Sequence, residues 1–92
     1  MAPRIHPEAR PRLAGGYRFQ WEQAQGCHVL LFPEGMIKLN DSASAVLKYC
    51  GDERTVAQIV ERLETDFPGA DLQADVLEFL EDAHERGWLE TE

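Results

Sequence analysis

Cys27 and His28 are the first residues to suggest chemistry, because a thiol beside an imidazole is the raw material of a thiolate nucleophile. They are adjacent in the run Cys27-His28-Val29-Leu30-Leu31-Phe32, which reads as a strand. Neighbours in a strand point to opposite faces, so the pair cannot act together. His84 sits near the edge of the apolar stripe of a helical pattern, and His6 lies in a proline-rich stretch, so neither offers a metal-ligand pair. The chain has no phosphate-binding glycine loop and no glycine–serine–glycine elbow. Its carboxylates are numerous, but their helical spacing describes a solvated face. Cys27 and Cys50 are the only cysteines and form no paired motif, which argues against both a disulfide and a zinc site. Cys50 falls on an apolar helical face and reads as a small buried hydrophobe. The expectation is a protein with no catalytic residues, no metal and no cofactor, and not an enzyme.

What remains is the chemistry of the backbone. In Pro33-Glu34-Gly35 the proline presets a turn and the glycine supplies the conformation that closes it. Met36, Ile37, Lys38 and Leu39 then read as a short strand, with Ile37 and Leu39 on one face and Lys38 on the other. Asn40, Asp41 and Ser42 are helix N-cap types, and Ala43 opens a helical apolar pattern. If this strand lies at a sheet edge, its unpaired donors and acceptors can take an extended peptide as an added strand.

The elements that must position this edge follow from periodicity. Tyr17-Arg18-Phe19-Gln20-Trp21-Glu22 alternates aromatic and polar residues, the mark of a half-buried strand, and Cys27–Phe32 is apolar enough for a middle strand. With Met36–Leu39 they make a three-stranded antiparallel meander whose third strand is outermost. Ala43, Val46, Leu47 and Cys50 form the stripe of a first helix. Thr55-Val56-Ala57-Gln58 is a capping box opening a second, whose stripe is Val56, Ile59, Val60, Leu63 and Phe67. The third runs from about Asp71 to Arg86, with Leu72, Val76, Phe79, Leu80 and Ala83 clustered. If packed beside the edge strand, it offers Phe79 and Ala83 as an apolar floor and Asp75 and Asp82 as a polar rim. The fold class is therefore α+β: a three-stranded antiparallel sheet followed by a three-helix bundle, winged helix-turn-helix-like. Met1 to Gly16, with three prolines and two glycines, reads as a flexible N-terminal arm, and residues 17–92 as the recognition domain.

The 92-residue chain carries a net charge of −8. Five basic residues face three acidic ones through Asn40, so the helical remainder carries a net −10. The third helix holds Asp71, Asp75, Glu78, Glu81, Asp82 and Glu85 against Arg86 alone. That is the wrong sign for a recognition helix against phosphate, and it also disfavours an anionic membrane surface. No apolar run approaches the ~20 residues of a membrane span, and no secretory apolar region opens the chain, so a cytoplasmic location is expected. A winged-helix nucleic-acid-binding protein is the alternative, opposed by this charge. An exposed edge strand and a proline- and glycine-rich arm permit homodimerisation without requiring it.

The chain resembles the PqqD family, the peptide chaperones of pyrroloquinoline quinone biosynthesis, from about Leu13 to Leu89. The resemblance is carried by Val29-Leu30-Leu31-Phe32-Pro33-Glu34-Gly35, by Leu39-Asn40-Asp41-Ser42-Ala43, by Arg54-Thr55-Val56 with Ile59, and by Val76-Leu77-Glu78-Phe79-Leu80 with Gly87-Trp88-Leu89. It departs at Cys50-Gly51-Asp52, where the family more often has Asp before Gly, a difference at a helix cap. The resemblance implies a non-catalytic domain that binds the precursor peptide PqqA and presents it to the radical S-adenosylmethionine enzyme PqqE, which joins a glutamate and a tyrosine side chain. It further implies that the peptide augments the third strand, at Met36, Ile37, Lys38 and Leu39, and lies against the third helix, facing Asp75, Phe79, Asp82 and Ala83.

Overall fold

The structure is a computed structural model that describes residues 5–91. In chain order its elements are β1 (Arg12–Leu13), β2 (Arg18–Glu22), β3 (Cys27–Phe32), β4 (Gly35–Lys38), α1 (Asp41–Lys48), α2 (Val56–Asp66), α3 (Gln73–Glu85) and β5 (Leu89–Glu90). The expected meander is present as an antiparallel sheet in the order β2-β3-β4, so the expected third strand is β4. Phe19 lies opposite Leu30, which in turn lies opposite Ile37, and these three share the sheet face that meets the helices. On the other face Val29 lies opposite Gln20 and Lys38. The α+β architecture read from the sequence is therefore the observed one.

The first two helices begin at local caps. The Asn40 side chain accepts the Ala43 amide at 2.8 Å and starts α1 directly after β4. At α2 both arms of the capping box form: the Gln58 amide donates to Thr55 Oγ1, and the Thr55 amide donates to Gln58 Oε1. α3 starts at Gln73, two residues later than expected, without a side-chain cap from its own N-terminus; Glu64 of α2 accepts the Leu72 amide at 3.1 Å. It stops in a Schellman turn, in which Gly87 takes a φ of +85° and the Trp88 amide donates to the Ala83 carbonyl. That turn sends Leu89 back into the core. Leu30, Ile59 and Leu80 are its fully enclosed centre, and no charged side chain is buried among the described residues.

Three expectations are corrected. From Ile5 onward, the stretch read as a free arm lies on the helices. Ile5 and Pro11 are buried, and the carbonyls of Pro7, Ala9 and Pro11 accept the amides of Ala57, Val56 and Gly51. The first two of those amides are among the unpaired donors at the start of α2, and the arm supplies their partners. Arg12–Leu13 then pairs with Leu89–Glu90 in a second, two-stranded sheet. Residues 1–4 of the expected arm lie outside the described residues. Phe67 does not extend the α2 stripe: it is the C-cap, its backbone has left the helical region (φ −125°, ψ 74°), and it is 53% exposed. Trp21 follows the alternation of its strand yet is 55% exposed, because it sits at the hairpin end of the sheet, edge-on to His28.

Candidate functional site

The site is built from the outer strand. The Leu39 amide donates to the His28 carbonyl at 3.0 Å, and in an antiparallel ladder the residues that bond to one neighbour alternate. Gly35, Ile37 and Leu39 therefore direct their backbone groups toward β3. Met36 and Lys38 direct theirs away, and among the described residues no strand pairs there. Two N–H and two C=O groups thus stand in line on an open edge.

A cleft of about 400 Å³ opens among the three helices, beginning at Asp41, three residues along the chain from Lys38. Its walls are the first turns of α1 (Asp41, Ser42, Ala45, Val46), the end of α2 (Leu63, Phe67), Ala70 and Leu72, and the first half of α3 (Asp75, Val76, Phe79). The lining is apolar apart from Asp41, Ser42 and Asp75; the two carboxylates stand in the first turns of their helices, a favourable place for them. A second, more open groove follows α3 along Asp75, Glu78, Phe79 and Asp82. Phe79 and Asp75 belong to both. Asp82 is held by Arg86 at 2.9 Å, whereas Asp41, Asp75 and Glu78 make no ion pair among the described residues.

The sequence-derived residues are thereby sorted. Met36 is 41% exposed and Lys38 is exposed, both with outward backbone groups. Ile37 is half-buried on the inner face against the core. Asp75, Phe79 and Asp82 line the α3 groove. Two residues do not fit the expectation. Ala83 is fully buried and belongs to the core, so it forms no groove floor. Leu39 is buried and its amide already serves β3, so it anchors the strand but lies outside the edge. Sequence reasoning missed the cleft residues Ala45, Leu63, Phe67 and Leu72. The available signal was Phe67 followed at once by Pro68-Gly69, an aromatic released from its helix by the break.

Elsewhere the polar chemistry is quiet. Burial pushes the Cys50 thiol up to about 12, so it stays protonated, with its Sγ 3.5 Å from the Val46 carbonyl. The His28 ring stacks on Phe19, with ring centroids 4.8 Å apart. No group of three or more metal-ligating side chains occurs among the described residues. No helix of the described residues is long and apolar enough to cross a membrane.

Fold and site together define a small α+β domain with an open sheet edge and an apolar cleft among its helices. The family model for coenzyme PQQ synthesis protein D (PqqD) matches residues 27–89, which takes in the whole of β3 through the start of β5. The chain belongs to the PqqD family. It is 58% identical to the PqqA binding protein of Azotobacter vinelandii over 81 residues, covering 87% of this chain and 88% of that one. It is 56% identical to the PqqA binding protein of Stutzerimonas stutzeri, with the same coverage. Among solved structures it resembles the PqqD truncation of Methylobacterium extorquens PqqCD, described as a functional, stand-alone recognition element for ribosomally synthesised and post-translationally modified peptides. The TM-score is 0.70 at 37% identity, covering 87% of each chain. These relatives are named for binding and recognition rather than for a reaction, in keeping with a non-catalytic protein.

Proposed function

We propose that this chain binds the precursor peptide PqqA by strand addition to β4 and presents it, without catalysis of its own, to the radical S-adenosylmethionine enzyme PqqE in the cytoplasm. The names of the relatives support the peptide, since proteins 58% and 56% identical to this one are PqqA binding proteins. The observation that carries the mode of binding is the open edge at Met36 and Lys38, in a strand that leads within three residues to the apolar cleft at Asp41. Backbone bonds alone cannot choose one peptide, because every peptide has the same backbone. Selection then falls to side chains: the peptide residues whose side chains share the face of Ile37 turn toward the helices, where the cleft between α1 and α3 takes an apolar group. Phe79, half-buried between cleft and groove, is the contact in this reading that both share.

An NMR titration of labelled protein with synthetic PqqA tests the proposal. Shifts are expected at Met36–Lys38, at Asp75 and Phe79 on α3, and around the cleft. Saturable binding with shifts confined to other faces would overturn strand addition while leaving peptide binding intact.

A further inference from the structure

Within the acidic helical half, three of the four basic residues converge on one ring. Lys48 Nζ stands 5.3 Å from the centre of the Tyr49 ring, and the guanidinium carbons of Arg54 and Arg62 stand 5.4 and 5.6 Å from it. The ring is buried and fixed: Tyr49 is 6% exposed, and its hydroxyl donates to Asp66. It therefore serves as a rigid platform whose face attracts cations. Arg54 is partly neutralised by Asp52 at 2.9 Å and is held to the Tyr49 carbonyl. Lys48 and Arg62 are exposed and make no ion pair among the described residues. Three like charges gathered around one ring repel one another; Asp52 pairs with Arg54 and Asp66 meets the Tyr49 hydroxyl, but no carboxylate among the described residues forms an ion pair with Lys48 or Arg62.

None of these residues lines the cleft or the α3 groove, the two surfaces proposed for the peptide's side chains. We infer that the Lys48–Arg54–Arg62 patch around Tyr49 is a docking surface for a carboxylate-rich face of a protein partner, and this rests on the reading that the chain presents its peptide to a second protein. A basic patch within the helical half, which carries a net −10, gives that half a strong charge asymmetry. Such an asymmetry steers an approaching acidic surface to one orientation, with the loaded edge at a fixed position relative to it. Nucleic acid is the poorer occupant, because three cations cannot offset the repulsion of the remaining acidic surface for a polyanion.

The test is the double reversal Lys48→Glu/Arg62→Glu, compared with wild type by surface plasmon resonance against PqqE in the presence of saturating PqqA, with the PqqA affinity measured separately. Neither side chain is ion-paired or buried, so the variant is expected to fold, and its fingerprint spectrum checks that. The expected result is a loss of about tenfold in affinity for PqqE, mostly in the association rate, with PqqA affinity within twofold of wild type. The neutral variant Lys48→Gln/Arg62→Gln is expected to lose less, and wild-type affinity to fall as salt rises. Wild-type affinity for PqqE in the folded reversal variant overturns the docking surface and leaves the presentation of peptide standing. No complex between PqqE and the wild-type, peptide-loaded protein overturns both.

Discussion

Replacing Lys38 with proline tests strand addition at a single atom. The edge offers two N–H and two C=O groups, from Met36 and Lys38. At about 1 kcal/mol net for each bond, a complete ladder is worth about 4 kcal/mol, or roughly a thousandfold in affinity. Proline deletes the Lys38 N–H and leaves the peptide carbonyl that would accept it without a donor. Losing the bond and stranding its partner costs about 2 kcal/mol, a roughly thirtyfold weaker complex. The domain itself should tolerate the change, because that N–H faces away from β3 and an edge strand accepts proline where its donor is unused. Lys38→Ala keeps the amide and removes the charge, so it should stay within about twofold of wild type. Calorimetric titration with synthetic PqqA measures all three proteins, and a fingerprint spectrum confirms that each is folded. A folded Lys38→Pro protein that binds like wild type would refute the placement of the peptide on β4.

Three further outcomes are expected. Phe79→Ala should weaken PqqA binding about tenfold, through about 1–2 kcal/mol of lost apolar contact; unchanged affinity in the folded variant would remove Phe79 from the site. Deleting residues 1–11 should lower stability by about 3 kcal/mol in a urea melt, since it exposes the ground under Ile5 and strips acceptors from Gly51, Val56 and Ala57. A melt identical to wild type would show that this segment contributes nothing to the fold. The Cys50 thiol, pushed up from its ordinary value of 9.0 to about 12 by burial, should resist a thiol reagent at pH 8 until the protein is unfolded. Because the unfolded chain ionises this thiol first, its contribution to stability is intact below pH 9 and is lost as pH rises from 9 toward 12. Rapid labelling of Cys50 in the folded protein would contradict its burial.

The sequence made the meander and the three helices legible because each is coded locally. Asn40 and the Thr55–Gln58 box announce helix starts, and alternation announces strands. The edge was legible for the same reason: a meander leaves its last strand outermost. What escaped depends on contacts between distant segments. Nothing in Pro7-Glu8-Ala9-Arg10-Pro11 signals a segment that supplies acceptors to the start of α2, because its prolines and charges also describe a free tail. Arg12–Leu13 and Leu89–Glu90 are too short to show a period, and they pair only because the Gly87 turn brings the chain end back. On α3 the wheel placed Phe79 and Ala83 together, but it cannot tell how deep each sits. Ala83 is the smaller and closer to the helix axis, so neighbouring elements close over it, whereas the Phe79 ring reaches the surface. The cleft was hidden because it is formed by three helices, and Phe67 enters it only by leaving the helix to which its spacing assigned it.

The most direct test of the central claim is amide hydrogen exchange, resolved by residue, with and without saturating PqqA. In the free protein the amides of Met36 and Lys38 should exchange quickly and those of Ile37 and Leu39 slowly, because only the latter are bonded to β3. Strand addition predicts that PqqA slows exchange at Met36 and Lys38 in particular. Protection by PqqA that falls elsewhere and leaves those two amides as fast as before would contradict the account.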